Sequence, residues 1–499
     1  MPAIPDGAPL RPSHPAERPL AELLVRLPDL RAAGNLPPVS GCTHDSRAVR
    51  PGDLYAALPG ATVHGADFAD QAVRAGAVAV LTDPSGESRA SAAGVPVLVA
   101  DDPRAVLGTT ASWVHGDPSR RLQVLAVTGT NGKTTTAFLL EAGLRAAGRS
   151  TGLLGTVVTR VGEVEVPSQR TTPEAPDLHA LFAVMVERGT QAVAMEVSSH
   201  ALALGRVDGV LFDGAVFLNL SQDHLDFHTS LEDYFQAKAS LFTPARTRRA
   251  LVDVDDEHGR RLAATALVPT TTYGTDGLWR AVDVTLEQGG STFTLLGPGT
   301  RVAASVQLPG GFNVANAVAA LGALVEAGIP VEDAVRGVAG LTGVPGRMER
   351  VDEGQPFSAL VDYAHTPEAV RTLLATVRRL TGGKVLVVLG CGGDRDRGKR
   401  PLMGRAAVEG ADVAILTSDN PRSEDPAAIL AEMAQPGAQV EPDRRAAIEL
   451  AVRLARPGDV LVVAGKGHES GQEIDGTVHP FDDRLVLRAA LRAAPVGPA

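Results

Sequence analysis

Short apolar runs that end in polar clusters recur along the chain from residue 118 onward. Residues 122–127, 191–197 and 213–219 are three such runs, and segments of helical periodicity lie between them. Near-continuous apolar strands separated by helices are typical of a parallel sheet that is covered on both faces. The pattern therefore predicts an α/β domain over residues 118–341, with ligands bound at the carboxyl ends of its strands.

Further apolar runs follow, and each ends in a loop that carries charged side chains. They are residues 359–362, 385–389, 413–416 and 460–463. They predict a second ligand-binding α/β domain, of Rossmann-like architecture, over residues 342–499. The glycines after the second run, Gly390-x-Gly-Gly, match a dinucleotide fingerprint only in part because the third glycine is misplaced. NAD binding is therefore disfavoured.

The first part of the chain, residues 20–117, has the pattern of a small α/β domain. Its most polar feature, Asp45-Ser46-Arg47, precedes a Pro-Gly turn and a short strand. This place suits either turn formation or a polar ligand, and the three residues alone favour the turn. Residues 1–19 contain six prolines and two arginines but no continuous apolar segment. They predict a disordered leader and not a signal peptide.

Composition and charge narrow the classes of partner. The chain of 499 residues has Lys+Arg 47 against Asp+Glu 58, a net charge of -11, and no basic tract, so nucleic acid and anionic membranes are disfavoured partners. Cys42 and Cys391 form no Cys-x-x-Cys motif, which disfavours a disulfide framework or a zinc knuckle. No apolar run approaches the roughly 20 residues of a spanning helix. We expect a monomeric, cytoplasmic protein of about three domains.

The strongest motif is Leu-Ala-Val-Thr-Gly-Thr-Asn-Gly-Lys-Thr-Thr at residues 125–135. A predicted strand leads into it, and a helix is predicted to begin near Thr134. The N–H groups of the glycine loop and the helix N-terminus attract an anion, Lys133 reaches the outer phosphates, and Thr134 offers a hydroxyl to Mg²⁺. Val127 stands where the strict P-loop has a glycine, so the match is to the shorter Gly-x-x-Gly-Lys-Thr form. The segment predicts a triphosphate site.

Two candidate metal ligands follow the predicted strands that should flank the P-loop strand. Glu196 and His224 would lie near the phosphates, where both could ligate Mg²⁺, although Mg²⁺ prefers oxygen. A strand-end cap is the alternative role for His224. His224 and His228 have the spacing of a zinc helix, but the glutamate of His-Glu-x-x-His is absent, so zinc is disfavoured.

Lys238 is unusual because it lies on the apolar face of a predicted helix. Tyr234, Phe235, Leu241 and Phe242 share that face. The lysine either extends its ammonium to solvent or is buried, where loss of the charge leaves a nucleophilic amine. Such an amine can take up carbon dioxide as a carbamate, which would be an anionic oxygen ligand for Mg²⁺. The pattern alone favours the solvent-extended side chain.

Charged residues are concentrated in two C-terminal loops. These are Asp394, Arg395, Arg397, Lys399 and Arg400 after one strand, and Asp-Asn-Pro-Arg at residues 419–422 after another. Arginine binds carboxylates in a bidentate manner, so two arginines in adjacent loops could hold a substrate carboxylate. Residues 397–400 favour a solvated surface of ion pairs instead. That alternative is weaker for Arg422, which follows a proline.

Taken together, these motifs resemble those of the Mur ligases in sequence and in order. They are residues 128–135, 196–200, 223–226, Lys238, 311–316, 345–349, 362–367 and 419–422. The resemblance covers nearly the whole chain from Leu20 and implies an ATP-dependent amide ligase of peptidoglycan precursor synthesis. Family chemistry implies that ATP phosphorylates a substrate carboxylate, an amine attacks the acyl phosphate, and a tetrahedral intermediate yields amide, ADP and phosphate. The implied substrates are UDP-N-acetylmuramoyl-L-alanyl-D-glutamate and meso-2,6-diaminopimelate.

The resemblance also implies roles for individual residues. Those implied to contact ATP are Gly129, Thr130, Asn131, Gly132, Lys133, Thr134, Thr135, Asn313, Arg347 and His365. Those implied to ligate Mg²⁺ are Thr134, Glu196, His224 and Lys238 as its carbamate, and the last three are implied to be catalytic together with Lys133. Those implied to hold the UDP-muramoyl substrate are Ser46, Thr171, Thr172, Ser198 and Arg206. Leu204 stands where relatives often carry a glutamine, a departure that bears on one hydrogen bond to that substrate.

The choice of amino acid is implied to depend on a C-terminal pocket. Its residues are Arg395, Asp419, Asn420, Pro421, Arg422, Gly465 and Glu469. Diaminopimelate differs from lysine by a second carboxylate, and a buried arginine left without that carboxylate penalises lysine.

Two other functions fit parts of the pattern. A folylpolyglutamate-synthetase-like ligase shares the short P-loop and the lysine, but the separate N-terminal domain and the Asp-Asn-Pro-Arg loop argue against it. The other is a nucleotide-switched binding protein. Such a protein does not require the two further polar ligand sites, so their presence argues against it.

Overall fold

In the computed structural model, the described residues are 10–32, 34–168, 170–287 and 289–493. Successive parts of the chain each form a mainly parallel sheet with helices packed against it. The prediction of an α/β protein with three domains is therefore confirmed, whereas the boundaries at residues 117 and 341 stay predictions.

The N-terminal part is built around a sheet of order β2-β7-β6-β5-β4, in which β2 alone is antiparallel to its neighbour. Its strands are β1 (Arg18–Pro19), β2 (Arg31–Ala32), β3 (Pro38–Val39), β4 (Gly41–Thr43), β5 (Asp53–Ala56), β6 (Ala79–Thr82) and β7 (Val97–Val99). Its helices are α1 (Leu20–Arg26), α2 (Ala69–Arg74), α3 (Glu87–Ser91) and α4 (Pro103–Val114), with a short 3₁₀ helix at Gly65–Phe68. Apolar clusters lie on both faces of the sheet.

Residues 10–19 are ordered, and the prediction of a disordered leader is wrong for them. Arg11 donates through Nη1 to both carboxylate oxygens of Asp53, at 2.8 and 3.0 Å, and both side chains are buried. The backbone N–H of Ser13 donates to Glu187 at 2.9 Å. Proline-rich composition does not show that one arginine has a buried partner 42 residues away. Residues 1–9 lie outside the described residues.

The central part contains the P-loop. Its strands are β8 (Gln123–Thr128), β9 (Thr151–Leu154), β10 (Val158–Val161), β11 (Val164–Pro167), β12 (Ala192–Glu196), β13 (Gly214–Phe217), β14 (Ala250–Asp253), β15 (Thr270–Tyr273), β16 (Arg280–Glu287), β17 (Gly290–Gly297) and β18 (Thr300–Val306). Its helices are α5 (Lys133–Ala146), α6 (Ala175–Glu187), α7 (Ser199–Ala203), α8 (Leu231–Ala239), α9 (Glu257–Thr265), α10 (Gly311–Glu326) and α11 (Val331–Gly340), with a 3₁₀ helix at Pro118–Arg121.

The order of the central sheet determines where its functional loops meet. The order is β11-β10-β9-β12-β8-β13-β14-β15, so β12 and β13 flank the P-loop strand β8 in parallel, as predicted. The sheet is not wholly parallel, because β10 and β11 form an antiparallel hairpin at its edge. Strands β16, β17 and β18 form a separate antiparallel sheet that the sequence pattern did not predict.

Helices α5, α10 and α11 cover one face of the central sheet, and their glycines allow close packing. A Cβ at Gly337 of α11 would lie 2.4 Å from the carbonyl oxygen of Ala142 in α5. A Cβ at Gly143 would overlap Leu324 of α10. This packing fixes α5, and therefore the P-loop at its N-terminus, against the sheet.

The C-terminal part is built around a sheet of order β19-β20-β24-β21-β22-β23, parallel except for β19. Its strands are β19 (Glu349–Arg350), β20 (Ser358–Asp362), β21 (Val385–Cys391), β22 (Val413–Ser418), β23 (Gln439–Val440), β24 (Val460–Ala464), β25 (Gly471–Ile474) and β26 (Thr477–Pro480). Its helices are α12 (Pro367–Leu380), α13 (Lys399–Gly410), α14 (Pro426–Met433), α15 (Arg444–Leu454) and α16 (Asp483–Ala493). Strands β25 and β26 pair as a separate hairpin. Among the described residues, no helix is long and apolar enough to cross a membrane.

Candidate active site between the central and C-terminal domains

The P-loop is a tight turn from β8 into α5. Gly129 and Gly132 have φ angles of 156° and 88°, values that L side chains rarely adopt. A Cβ at Gly132 would lie 2.6 Å from the side-chain oxygen of Asn316, so both conformation and space require glycine there. Lys133 folds back on the loop, and its Nζ donates to the carbonyl oxygens of Gly129 and Thr130 at 2.9 Å each. Burial lowers the pKa of this lysine.

Glu196, the last residue of β12, lies beside the first turn of α5. Its Oε2 accepts a hydrogen bond from the Thr134 hydroxyl at 3.1 Å. Thr156 donates to the same carboxylate through its N–H at 2.7 Å and its hydroxyl at 3.1 Å. A hydroxyl and a carboxylate are hard oxygen groups, and they meet here at the P-loop.

Asp223 and His224 occupy the loop after β13, on the other side of the P-loop strand. His224 has a φ of 56°, and its N–H donates to Asp223 Oδ1 at 2.9 Å. Burial lowers the pKa of His224 to about 3, so its imidazole is neutral. Burial alone would raise the pKa of Asp223, but His365 and Lys399 hold it well below its ordinary value.

Lys238 is fully buried, and the prediction that its ammonium reaches solvent is wrong. Its side chain is 1% exposed, and Nζ donates to the carbonyl oxygen of Gly129 at 2.8 Å. Nζ also lies 4.6 Å from the centre of the Tyr234 ring. Burial and the neighbouring Lys133 lower the pKa of Lys238 well below its ordinary value. The helical period predicted the face of α8, but it carries no information on how deeply that face is covered.

The C-terminal domain closes the other side of this cleft. Arg347 donates through Nη2 to the Thr134 hydroxyl at 3.0 Å. His365 Nε2 lies 3.4 Å from Asp223 Oδ2, and Lys399 Nζ lies 3.5 Å from Asp223 Oδ1. The cavity has a volume of about 370 Å³ and is lined by both domains.

Most of the predicted ATP-contacting residues line this cavity. They are Thr130, Asn131, Gly132, Lys133, Thr134, Thr135, Asn313, Arg347 and His365. Gly129 lies directly beneath, where its carbonyl accepts from Lys133 and Lys238. Glu196 and His224 also line the cavity, whereas the buried Lys238 does not. Phe312 of α10 and Leu373 of α12 add apolar surface to the cavity.

The residues predicted to hold the UDP-muramoyl substrate are more widely spread. Thr171 and Ser198 line the cavity, and buried Thr172 donates to the Glu196 carbonyl oxygen at 2.9 Å. Arg206 Nε lies 2.8 Å from Glu174 Oε1 outside the cavity. Ser46 lies in the N-terminal domain and does not line the cavity.

The Asp45-Ser46-Arg47 segment forms the turn that its sequence favours. Asp45 accepts from the backbone N–H of Arg47 at 2.9 Å and from its guanidinium at 2.8 and 2.9 Å. These bonds are the turn chemistry of an aspartate followed two residues later by a donor.

The predicted amino-acid pocket forms a second cluster at the carboxyl ends of β21, β22 and β24. Arg422 has a φ of 53°, and its Nη1 donates to the carbonyl oxygen of Gly393 at 2.6 Å. The backbone of Arg422 is held by β25 and the residue that follows it. The Arg422 N–H donates to the Glu473 carbonyl oxygen at 3.0 Å, and the Arg422 carbonyl oxygen accepts from the Asp475 N–H at 2.7 Å. Arg395 Nη1 donates to the carbonyl oxygen of Asp394 at 3.0 Å. Both predicted arginines therefore lie at the pocket loops.

The other predicted pocket residues are connected by short contacts. Asn420 Nδ2 donates to Glu469 Oε2 at 2.8 Å. Gly465 has a φ of 113°, and a Cβ there would lie 2.7 Å from Asp419 Oδ2. Pro421 approaches Gly393, where a Cβ would lie 1.9 Å from the proline carbonyl oxygen.

Sequence reasoning missed several buried charged residues around these two sites. Arg400 was expected in a solvated surface, but it is fully buried and donates to Glu424 and Glu432 at 2.7 and 2.8 Å. Lys399 and Lys466 are also buried. Asp223 belongs to the motif at residues 223–226, but sequence reasoning assigned it no role. For Lys466, the available signal was its place between two glycines directly after a strand.

Three family models match successive parts of the chain. They are the Mur ligase family catalytic domain at residues 38–114, the Mur ligase middle domain at residues 127–324, and the Mur ligase glutamate ligase domain at residues 346–467. The chain belongs to the Mur ligase family.

This Mur ligase has similar relatives over nearly its full length. It is 59% identical to the UDP-N-acetylmuramoyl-L-alanyl-D-glutamate--2,6-diaminopimelate ligase of Streptomyces coelicolor, over 97% of this chain and 98% of that protein. The ligase of the same name from Corynebacterium glutamicum is 48% identical over 88% of this chain and 89% of that protein. A solved structure of a ligase of this name is 36% identical, with a TM-score of 0.64, and covers 92% of this chain and 95% of that chain.

The residues at the P-loop of this Mur ligase fit a magnesium nucleotide. Within the described ranges, no group of three or more His, Cys, Asp or Glu side chains could hold a metal ion alone. Mg²⁺ does not need such a group, because it keeps several waters and takes phosphate oxygens together with one or two protein ligands. The adjacent Thr134 hydroxyl and Glu196 carboxylate suit that mode of binding.

Proposed function

We propose that this Mur ligase joins meso-2,6-diaminopimelate to UDP-N-acetylmuramoyl-L-alanyl-D-glutamate with ATP, in peptidoglycan precursor synthesis. The observation that carries the proposal is 59% identity over nearly the whole length to the Streptomyces coelicolor ligase of that name. The reaction phosphorylates the free side-chain carboxylate of the D-glutamyl residue. The amine of the amino acid then attacks the acyl phosphate, and phosphate leaves as the amide forms.

The P-loop supports binding of ATP in the cavity between the domains. Backbone N–H groups and the α5 N-terminus face the phosphates, as in other helix N-terminal anion sites. Lys133 exchanges its loop carbonyl partners for the outer phosphates, and Arg347 brings a guanidinium from the C-terminal domain to Thr134. Positioning and charge neutralisation supply most of the catalysis in phosphoryl transfer. Bound Mg²⁺ would add charge neutralisation, held by Thr134, Glu196, His224 and a carbamate on Lys238.

The surroundings of Lys238 support the carbamate. Burial and the neighbouring Lys133 lower the pKa of Lys238 and so favour the neutral amine, which reacts with carbon dioxide whereas an ammonium does not. We expect wild-type protein incubated with ¹³C-bicarbonate to show the ¹³C NMR signal of a carbamate. The same signal should be absent from Lys238→Met. Identical spectra for the two proteins would contradict the modification.

The amino-acid pocket supports diaminopimelate as the nucleophile. Arg422 and Arg395 bring two guanidinium groups to adjacent strand-end loops, and Glu469 adds a carboxylate for an ammonium. Diaminopimelate carries a second carboxylate and a second ammonium at its distal end, whereas lysine lacks the carboxylate. We further propose that the enzyme acts as a monomer in the cytoplasm, without nucleic acid or membrane partners.

Phosphate release tests the function directly. Purified protein is incubated with ATP, Mg²⁺ and UDP-N-acetylmuramoyl-L-alanyl-D-glutamate, with meso-diaminopimelate or L-lysine in parallel. Release with diaminopimelate alone is expected. Release with lysine alone would contradict the amino-acid specificity, and release with neither would contradict the proposed reaction.

A further inference from the structure

The loop after β24 contains a lysine whose side chain turns inward. Lys466 stands between Gly465 and Gly467, whose φ angles are 113° and 54°. A Cβ at Gly467 would lie 2.8 Å from the Cβ of Tyr363, so the loop packs tightly on its neighbours. The Lys466 side chain is 0% exposed. A lysine so fully buried requires partners for its charge.

Those partners are two residues of the predicted amino-acid pocket. Lys466 Nζ donates to Asn420 Oδ1 at 2.9 Å and to Glu469 Oε2 at 2.9 Å. Asn420 Nδ2 donates to the same Glu469 oxygen at 2.8 Å, and the N–H of Glu473 donates to Asn420 Oδ1 at 3.0 Å. The two donors at Oδ1 fix the orientation of the Asn420 amide. The three side chains therefore form a closed triangle.

The two carboxylate oxygens of Glu469 have different surroundings. Both protein donors meet Oε2, and no described residue donates a hydrogen bond to Oε1. The Glu469 side chain is 31% exposed, so the carboxylate reaches the surface of the pocket. Oε1 is the oxygen that can accept from the ammonium of an incoming amino acid.

We propose that Lys466 is a positioning residue for amino-acid specificity: by holding Glu469 Oε2 and Asn420 Oδ1, it presents Glu469 Oε1 to the substrate ammonium. The inference rests on the proposed function, since it assigns this pocket to the amino acid. Lys466 acts through Glu469 and does not itself contact the substrate.

A nearby buried ion pair shows what a purely structural role looks like. Arg444 and Asp483 are both fully buried and make two hydrogen bonds at 2.6 and 2.8 Å. The remaining bonds of Arg444 go to the backbone carbonyl oxygens of Ser418 and Ala464, at the ends of β22 and β24. Lys466 instead bonds to two pocket side chains, so its removal should affect ligand binding more than the sheet.

The test compares Lys466→Met with wild type. We expect the KM for diaminopimelate to rise about ten- to hundredfold, the loss that follows removal of a hydrogen bond between charged groups. The KM for ATP should stay near wild type, a separation that general structural damage would not produce. Lys384→Met removes an exposed lysine beside the amino end of β21, away from the pocket, and serves as the matched control. If methionine prevents folding, Lys466→Gln retains a polar group in the buried position and is measured in its place.

A double-mutant cycle with Glu469→Gln separates the inference from its alternatives. Because Lys466 acts through Glu469, its replacement should have little further effect once Glu469 has lost its charge. The KM is measured for the amino acid that the wild-type enzyme uses, diaminopimelate or L-lysine. If wild type uses L-lysine alone as substrate, the proposed function is contradicted. If Lys466→Met raises the KM equally in the wild-type and the Glu469→Gln backgrounds, the role of Lys466 is overturned.

Discussion

At the scale of single residues, the two sites depend on charged side chains in unusual environments. Lys238 shows how far sequence reasoning reaches: its place on an apolar helical face predicted an exceptional lysine, and the favoured exposure was wrong. Arg400 shows the same limit, because its partners Glu424 and Glu432 lie 24 and 32 residues away. Periodicity identifies a face, but burial depends on what the rest of the chain places over that face.

Arg422→Ala should selectively weaken use of diaminopimelate. We expect its KM to rise by about ten- to hundredfold, because the distal carboxylate loses a charged partner. The KM for ATP should not change, since Arg422 does not line the nucleotide cavity. Steady-state phosphate release checks this, with Arg397→Ala as control because that arginine is 65% exposed and pairs with Glu424. An unchanged KM for diaminopimelate in Arg422→Ala would refute the role of the arginine.

At the scale of elements, the strands in the middle of both large parallel sheets were predictable, whereas the outer strands of the central sheet and the antiparallel additions were not. Strand β12 is buried throughout and apolar up to its last residue, Glu196, so its pattern is unambiguous. Strand β16 mixes exposed and half-buried positions without a regular alternation, and a shift of register occurs between Val282 and Thr285. A strand with that pattern cannot be distinguished from a loop by hydrophobicity.

Gly337→Ala should destabilise the protein by loosening α11 from α5. The new Cβ would lie 2.4 Å from a backbone oxygen of α5, and overpacking of this kind costs about 1–3 kcal/mol. Gly340→Ala in the same helix is the control, because nothing lies within 4 Å of a Cβ there. Chemical denaturation of both variants measures the difference. Equal free energies of unfolding for the two variants would contradict the prediction, because they would show that α5 and α11 accommodate the added methyl group without cost.

At the scale of the whole molecule, the cavity at the P-loop is lined by residues of both the central and the C-terminal domains. Sequence motifs predicted the contributions from each domain, but the Asp223 contacts with His365 and Lys399 join residues that are 142 and 176 positions apart. The leader has a similar long-range role: Leu10 packs on the central core while Arg11 enters the N-terminal sheet. No local pattern reveals contacts between domains.

Arg11→Ala should therefore lower stability. It removes the cation that is hydrogen-bonded to the buried Asp53 carboxylate, and breaking a buried pair costs about 3–5 kcal/mol. Burial already raises the pKa of Asp53, and loss of Arg11 should raise it further. The variant's carboxyl is then protonated at a higher pH than in wild type, so the deficit should shrink as pH falls. Denaturation of Arg11→Ala and of His14→Ala, whose side chain is 92% exposed, over a range of pH tests this; a deficit that grows on acidification would contradict it.

The backbone attachment of Arg422 to β25 bears on how this enzyme can evolve. Every residue except proline can donate a main-chain hydrogen bond, and every residue can accept one. The main-chain bonds of the hairpin therefore do not depend on which side chains it carries. Mutations that keep the hairpin paired should therefore accumulate in its exposed strand β26 without moving the arginine. In the proposed pocket, amino-acid choice is therefore insulated from sequence changes in the hairpin that supports Arg422, and a change of substrate has to arise from the pocket loops themselves.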